Sequence, residues 1–250
     1  MIKPLVGIAL AALTIAGSSH AADLPQAVYK APPPATLFSW TGFYIGVHAG
    51  AGLGLQEDTF TTATLRSTNQ HSIVGFLGGA QIGVNYQVGS WVLGAEAQFS
   101  WSDLDGTNTC EPGAPVALIN CHTKADWLGT AAARLGFAFD RTMVFVKGGG
   151  AWVHDKYDMT SFTTPFTNIH VDDTRYGWMF GTGVEHALLG NWSAKVEYDY
   201  LDFGTHTPSF PGLAAIVIGL NEAVPIRQRI HLVKVGLNYR FGAGPVVANY

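Results

Sequence analysis

The sequence predicts an all-β fold: one antiparallel, up-and-down barrel of eight strands that crosses a membrane. Three observations carry that prediction. Apolar and polar residues alternate with a period of two over eight separate segments, which is the rhythm of strands and not of helices. Charged residues make up only 13% of the 250-residue chain, against about 25% in an average soluble domain. Aromatics reach 12% and glycines number 30, yet after the first residues no apolar run approaches the roughly 20 residues that a membrane helix needs. A soluble β-sandwich is the competing fold, and it has no use for so few charges.

The N-terminus reads as an export signal. Lys3 supplies the positive start, residues 5–16 an almost unbroken apolar stretch, and Ser19-His20-Ala21 a small-x-small cleavage site, with cleavage expected after Ala21. The apolar stretch is too short to span a bilayer as a helix. Loss of Lys3 makes the formal charge of −4 one unit more negative, so nucleic acid is not an expected partner. Residues 22–39, with Pro25 and Pro32-Pro33-Pro34, read as an extended tether. The barrel is expected over 40–241 and a C-terminal extension over 242–250.

The strands follow in order. Phe43, Ile45, Val47, Ala49 and Leu53 share one face of the first, opposite Tyr44, Gly46, His48, Gly50 and Gly52. In 75–88, Ile82, Val84, Tyr86 and Val88 oppose Gln81, Gly83, Asn85 and Gln87. Segment 91–102 alternates most cleanly, with Trp91, Leu93, Ala95, Ala97, Phe99 and Trp101 against Gly94, Glu96, Gln98, Ser100 and Ser102. Segments 125–139, 143–155, 175–188, 192–202 and 227–241 repeat the pattern, the last with Val233, Val235, Leu237, Tyr239 and Phe241 opposite Lys234, Gly236, Asn238 and Arg240.

Connections alternate in length. Short turns fall at Gly89-Ser90, Asp140-Arg141 and Gly190-Asn191; long polar connections fall near 55–71, 103–122, 158–174 and 204–225. Bacterial outer-membrane barrels have short periplasmic turns and long external loops, so the alternation orients the chain. All seven tryptophans map to strand ends. Trp40, Trp91 and Trp192 lie on the short-turn side, and Trp101, Trp127, Trp152 and Trp178 on the long-loop side, as two aromatic girdles at the lipid boundaries require.

Ionisable residues segregate to the face opposite the aromatics: Glu96, Asp126, Arg134, Lys147, Glu185, Lys195, Glu197, Asp199, Lys234 and Arg240. A cation on the lipid face near the midplane costs about 2–4 kcal/mol, so this face is the interior. An eight-stranded barrel is just wide enough for its own side chains. A mixed-sign interior therefore cross-links and plugs itself, and a narrow ion path is the alternative. Inner-face glycines such as Gly83, Gly149, Gly181 and Gly183 make room for long cations.

Two cysteines, Cys110 and Cys121, sit in one polar connection and are expected to close it by a disulfide after export; their spacing matches no zinc motif. His71, His122, His170 and His206 scatter among the connections without metal-ligand spacing. His206 and Ser209, with Asp202 and Glu222 near, are the best material for a hydrolase, but nothing places a base beside the nucleophile. The chain is read as a non-enzyme without cofactor.

Trp40-Thr41-Gly42-Phe43-Tyr44-Ile45-Gly46, the run 78–86 and the run 191–198 resemble OmpA-like outer-membrane β-barrels of the porin family, and most of all the outer-membrane immunogenic proteins of Gram-negative bacteria. The resemblance covers about 40–250. It implies eight strands, exposed loops, and roles in envelope integrity and in contact with host or environment; some relatives bind haemin, which a loop-mediated site would do here. Lys234, Gly236, Tyr239 and Phe241 resemble the signal read by the barrel-assembly machinery, although Phe241 is not terminal and Tyr250 offers a second aromatic. Expected partners are outer-membrane lipid, lipopolysaccharide and that machinery, with an external ligand through the loops left open.

Overall fold

The structure, a computed structural model, describes residues 38–61, 66–110, 119–161, 168–212 and 222–241. The expected signal, most of the tether and the C-terminal extension lie outside the described residues. Eight strands follow in chain order: β1 (Gly42–Thr61), β2 (Arg66–Val88), β3 (Trp91–Cys110), β4 (Ile119–Phe139), β5 (Thr142–Ser161), β6 (Asn168–Ala187), β7 (Trp192–His206) and β8 (Ile226–Phe241). Each pairs antiparallel with the next, and β1 with β8 closes the ring. Closure satisfies the backbone of every strand at membrane depth, where no water can do so. Tight turns sit at Gly89 and Gly190, with φ of 60° and 62°, and at Asp140, whose φ of 53° a short polar side chain tolerates.

The outward face is apolar over one band. Trp91 and Trp101 bound it on β3, ten residues apart, or about 33 Å along a strand. At the usual tilt of about 40° this gives about 25 Å, the height of a barrel's lipid-facing band. Trp91 packs on Phe137 and Trp192 on Tyr239 at the lower boundary. Trp101 packs on Phe99, Phe99 stacks on Trp127, and Trp178 meets Tyr200 at the upper one. Trp152 lies flat over Gly129, where a Cβ would fall 1.9 Å from the indole nitrogen.

Three expectations are corrected. Trp40 does not belong to the lower girdle. It is 0% exposed and sits inside the periplasmic mouth with Phe38, Val92, Met143 and Phe145, because Arg240 draws both rings beneath its guanidinium, at 4.6 Å and 4.8 Å. The tether therefore ends inside the barrel. Asp126 is not a lumen charge: a bulge between Ala125 and Trp127 turns it outward, where it pairs with Lys156. Three of the four long polar connections, 55–71, 103–122 and 158–174, are also strand wherever described, whereas in 204–225 strand β7 stops at His206. β1 to β6 run well past the upper aromatics, and the outer face there is polar because it meets water, while Phe60, Met159 and Ile169 still point inward.

The lipid assignment predicts a depth-dependent penalty. Val235, 56% exposed on β8, falls in the band, and Val235→Lys should cost about 2–4 kcal/mol. Thr205→Lys, above the band, should cost under about 1 kcal/mol by the same dependence. Equilibrium urea unfolding in lipid vesicles reads both.

Candidate functional site

The interior is layered, and β5 read outward passes through every layer. Met143 and Phe145 lie at the mouth, then Lys147 in an ionic layer, Ala151 and Val153 in an apolar layer, Asp155 in a second polar layer, and Tyr157 and Met159 under the outer cap. Inward parity on one strand thus alternates chemistry at intervals of about 13 Å, four residues of rise.

The ionic layer collects nine of the ten side chains expected there. Lys147 Nζ lies 3.2 Å from Glu96, 3.1 Å from Glu197 and 3.4 Å from Asp199. Lys195 Nζ lies 3.0 Å from Glu96 and 2.9 Å from Glu197. Lys234 Nζ lies 3.0 Å from Glu197 and 2.6 Å from Asp199. Nearer the mouth, Arg134 donates to Glu185 at 2.5 Å and covers the Phe145 ring at 3.7 Å, while Arg240 lies 3.9 Å from Glu185 and donates to the Ser39 carbonyl at 3.0 Å. All are buried. Five cations face four carboxylates, so neither sign is left in bulk.

Neutral groups complete the layer, and the sequence did not single them out. The Tyr44 hydroxyl donates to Glu96 at 2.7 Å. Gln98 Nε2 donates to Glu96 and to Glu197, each at 2.8 Å. Ser193 and Asn238 donate to Glu185 at 2.5 Å and 2.9 Å. Their inward parity was legible; their partners on distant strands were not. Gly83 admits the Tyr44 phenol, since a Cβ there would lie 2.4 Å from it. Above, Arg175 faces Asp155 at 3.6 Å and Asp173 at 3.5 Å, and Gln228 donates to Asp155 at 3.1 Å.

Between the polar layers Ile73, Leu77, Leu104, Leu128, Val153, Leu201, Ile230 and Leu232 meet across the lumen. Under the outer cap, a cavity lined by Gln56, Asp58, Thr123, Tyr157 and Val224 measures about 10 Å³, room for one water at most.

At the outer rim each loop histidine faces a carboxylate. His71 lies 3.4 Å from Asp58, His122 3.2 Å from Asp105, His170 2.6 Å from Asp158 and His206 3.3 Å from Asp173. The hydrogen bond to Asp158, helped by its charge, holds the His170 pKa above the ordinary imidazole value. Among the described residues no three metal-ligating side chains converge. Ser209 sits in an isolated bridge with Ala223, and Asp202 accepts from the Gly204 amide at 2.8 Å and Tyr200 at 3.2 Å. Cys121 is buried and disulfide-bonded; the side chain of Cys110, its expected partner, lies outside the described residues.

A closed ring with an apolar outer band, two aromatic boundaries and a self-neutralised interior is what an outer-membrane barrel presents. The family model "Outer membrane protein beta-barrel domain" matches residues 8–241. The chain belongs to this family. Among its relatives within outer-membrane barrels is the 31 kDa outer-membrane immunogenic protein of Brucella melitensis, 35% identical over 96% of this chain and 100% of that one. The 25 kDa outer-membrane immunogenic protein of Brucella abortus is 26% identical over 96% and 99%. Of solved structures, the outer membrane protease OmpT from Escherichia coli aligns with a TM-score of 0.50 at 9% identity, covering 82% of this chain and 98% of that one; at that identity only the fold is shared. The outer-membrane location follows from the family.

Two outcomes test this interior and rim. Glu197→Gln leaves Lys147, Lys195 and Lys234 short of a carboxylate, and should lower unfolding free energy by about 3–5 kcal/mol, the usual cost of breaking a buried ion pair, in urea titrations. The charged His170 contact is complete at low pH and is lost as pH rises through the raised pKa. Asp158→Asn should therefore lower the His170 titration midpoint, read by NMR of the ring protons.

Proposed function

We propose that this barrel serves as a sealed structural element of the outer membrane that presents its extended outer rim to the surroundings, and that it neither conducts nor catalyses. The observation that carries this reading is the stack of apolar layers. Water or an ion would have to pass the Trp40–Phe145 layer, the ionic layer, and the layer of Leu104, Leu128, Leu201 and Leu232. An eight-stranded barrel has no spare width for a bypass. The relatives' description as immunogenic agrees with an exposed rim, because antibodies reach only what the envelope displays. The paired rim histidines favour packing roles over haemin ligation.

Export and assembly fit the same reading. The N-terminal signal would be removed after Ala21, and Lys234, Gly236, Tyr239 and Phe241 would be read by the assembly machinery. On β8 Tyr239 and Phe241 point outward, their rings 5.0 Å apart, which leaves both reachable from the lipid side. Lipid and lipopolysaccharide are the partners that the outward band fits.

Reconstitution in planar bilayers should give no discrete conductance steps; steps of constant size that persist after purification to homogeneity would replace this reading with a channel. Phe241→Ala should reduce the heat-modifiable, folded fraction in outer membranes severalfold, and Tyr250→Ala should leave it unchanged, as scored by gel migration with and without boiling.

A further inference from the structure

The turn between β6 and β7 is built against the usual rule for a turn in water. It reads Leu188-Leu189-Gly190-Asn191, and its two leucines are 40% and 82% exposed. Turns that meet water are made of small and polar residues, and a neighbouring pair of exposed apolar side chains is a cost unless something apolar covers it. Trp192 follows directly and is half exposed, at the level where indoles mark the lipid boundary. The turn therefore dips into the headgroup zone.

A cation is held at the same level. Arg141, in the β4–β5 turn, donates through Nη2 to the Leu188 carbonyl at 2.7 Å, and its own carbonyl accepts from the Ala187 amide at 2.7 Å. The two turns are thereby joined. The other guanidinium donors of Arg141 are unused among the described residues, and no carboxylate there pairs with it. His186 Nδ1 lies 2.9 Å from the Thr142 hydroxyl; when that hydroxyl donates, the ring proton sits on Nε2 and is free for a ligand. Arg141, His186, Leu188, Leu189 and Trp192 line one groove of about 550 Å³. Trp192 also lines a second groove, of about 720 Å³, with Tyr239, Leu237, Ile45 and Val47 of the lipid-facing band. Along the ladder Trp192 pairs with Tyr239, Tyr239 with Ile45, Ile45 with Ile82 and Ile82 with Ala97. Ala97 lies six residues up β3 from Trp91, so this row climbs from the lower boundary toward mid-bilayer.

We propose that the two grooves together seat one glycerophospholipid of the periplasmic leaflet, with its phosphate on Arg141 and His186 and one acyl chain along Trp192 and Tyr239. The polar end offers a guanidinium, whose planar fork matches a phosphate. The apolar end begins at Trp192 and rises into hydrocarbon, so the occupant must join a phosphate to a long, thin apolar chain. A free phosphate would leave Leu189 and the second groove bare. A peptide would carry backbone N–H and C=O groups into hydrocarbon, where they find no partner. Asp140, next to Arg141 in the turn, disfavours a dianion and suits the single charge of a phosphodiester. The seat rests on the reading that the short turns face the periplasm and the outward band meets lipid.

The test titrates the protein, purified from outer membranes into detergent micelles, with phosphatidylglycerol carrying brominated acyl chains. Bromine quenches a nearby indole, so the quenching that Trp192→Phe removes reports the proposed chain alone. Saturable quenching of Trp192 is expected. Arg141→Gln keeps a donor for the Leu188 carbonyl and should weaken binding about three- to fivefold, in the range of an exposed ion pair. Arg227→Gln, at the opposite rim, should leave it unchanged. Brominated diacylglycerol, which lacks the phosphate, should bind the unaltered protein about as weakly as phosphatidylglycerol binds Arg141→Gln. Equal binding of the two lipids, or an equal effect of Arg227→Gln, overturns the seat. Displacement of the lipid by millimolar inorganic phosphate does so too, by giving the site to a free anion. Labelling of Leu189→Cys on intact cells by a membrane-impermeant maleimide overturns instead the orientation, and the leaflet with it; labelling only after the outer membrane is permeabilised upholds both.

Discussion

The constraint on which the rest depends is that a backbone amide in hydrocarbon has no water to bond. Every strand of this chain must find two partners at membrane depth, and eight strands are enough to close a ring. Closure at that number leaves a lumen about as wide as its own side chains. From this the interior follows. Long cations placed inside to keep them out of lipid are forced against the carboxylates of opposite strands, and glycines at positions such as Gly83 and Gly181 yield the space. At Gly181 a Cβ would lie 2.0 Å from Asp199.

The ionic layer is a device for specificity more than for net stability. Buried ion pairs repay their desolvation only with excellent geometry and extra hydrogen bonds, and here Tyr44, Gln98, Ser193 and Asn238 provide the latter. The network ties β1, β3, β4, β5, β6, β7 and β8 to one another across the lumen. A register slip by one residue would turn these charges toward lipid, so the layer fixes register in the way a hydrophobic core does for a soluble sheet.

Much of this was legible in the chain. The two-residue alternation of 91–102 and 227–241 placed Trp91 and Trp101 outward and Glu96, Lys234 and Arg240 inward without any structural information. What escaped had physical causes. Above the lipid band both faces of a strand can be polar, so Thr59 or Asp158 looks like loop. The bulge at Asp126 shifts parity by one residue, which no period-two count detects. Trp40 obeys the expected position along the chain but not the expected side, because its placement depends on Arg240 from the far end of the sequence. The end of the β6–β7 ladder at Trp178 and Asp202 was invisible for a similar reason: it depends on which neighbour β7 follows after Gly204.

The clasp of Arg240 on the Ser39 carbonyl spans 201 residues of sequence. A contact so remote costs loop-closure entropy before it repays any. The segment that leads into β1 is held from two sides, because Gln87 of β2 accepts from the Trp40 amide at 2.7 Å while Arg240 of β8 donates to the Ser39 carbonyl. The barrel's floor is thus fastened by its own last strand as well as by its second, so the two ends of the folded chain lock one another.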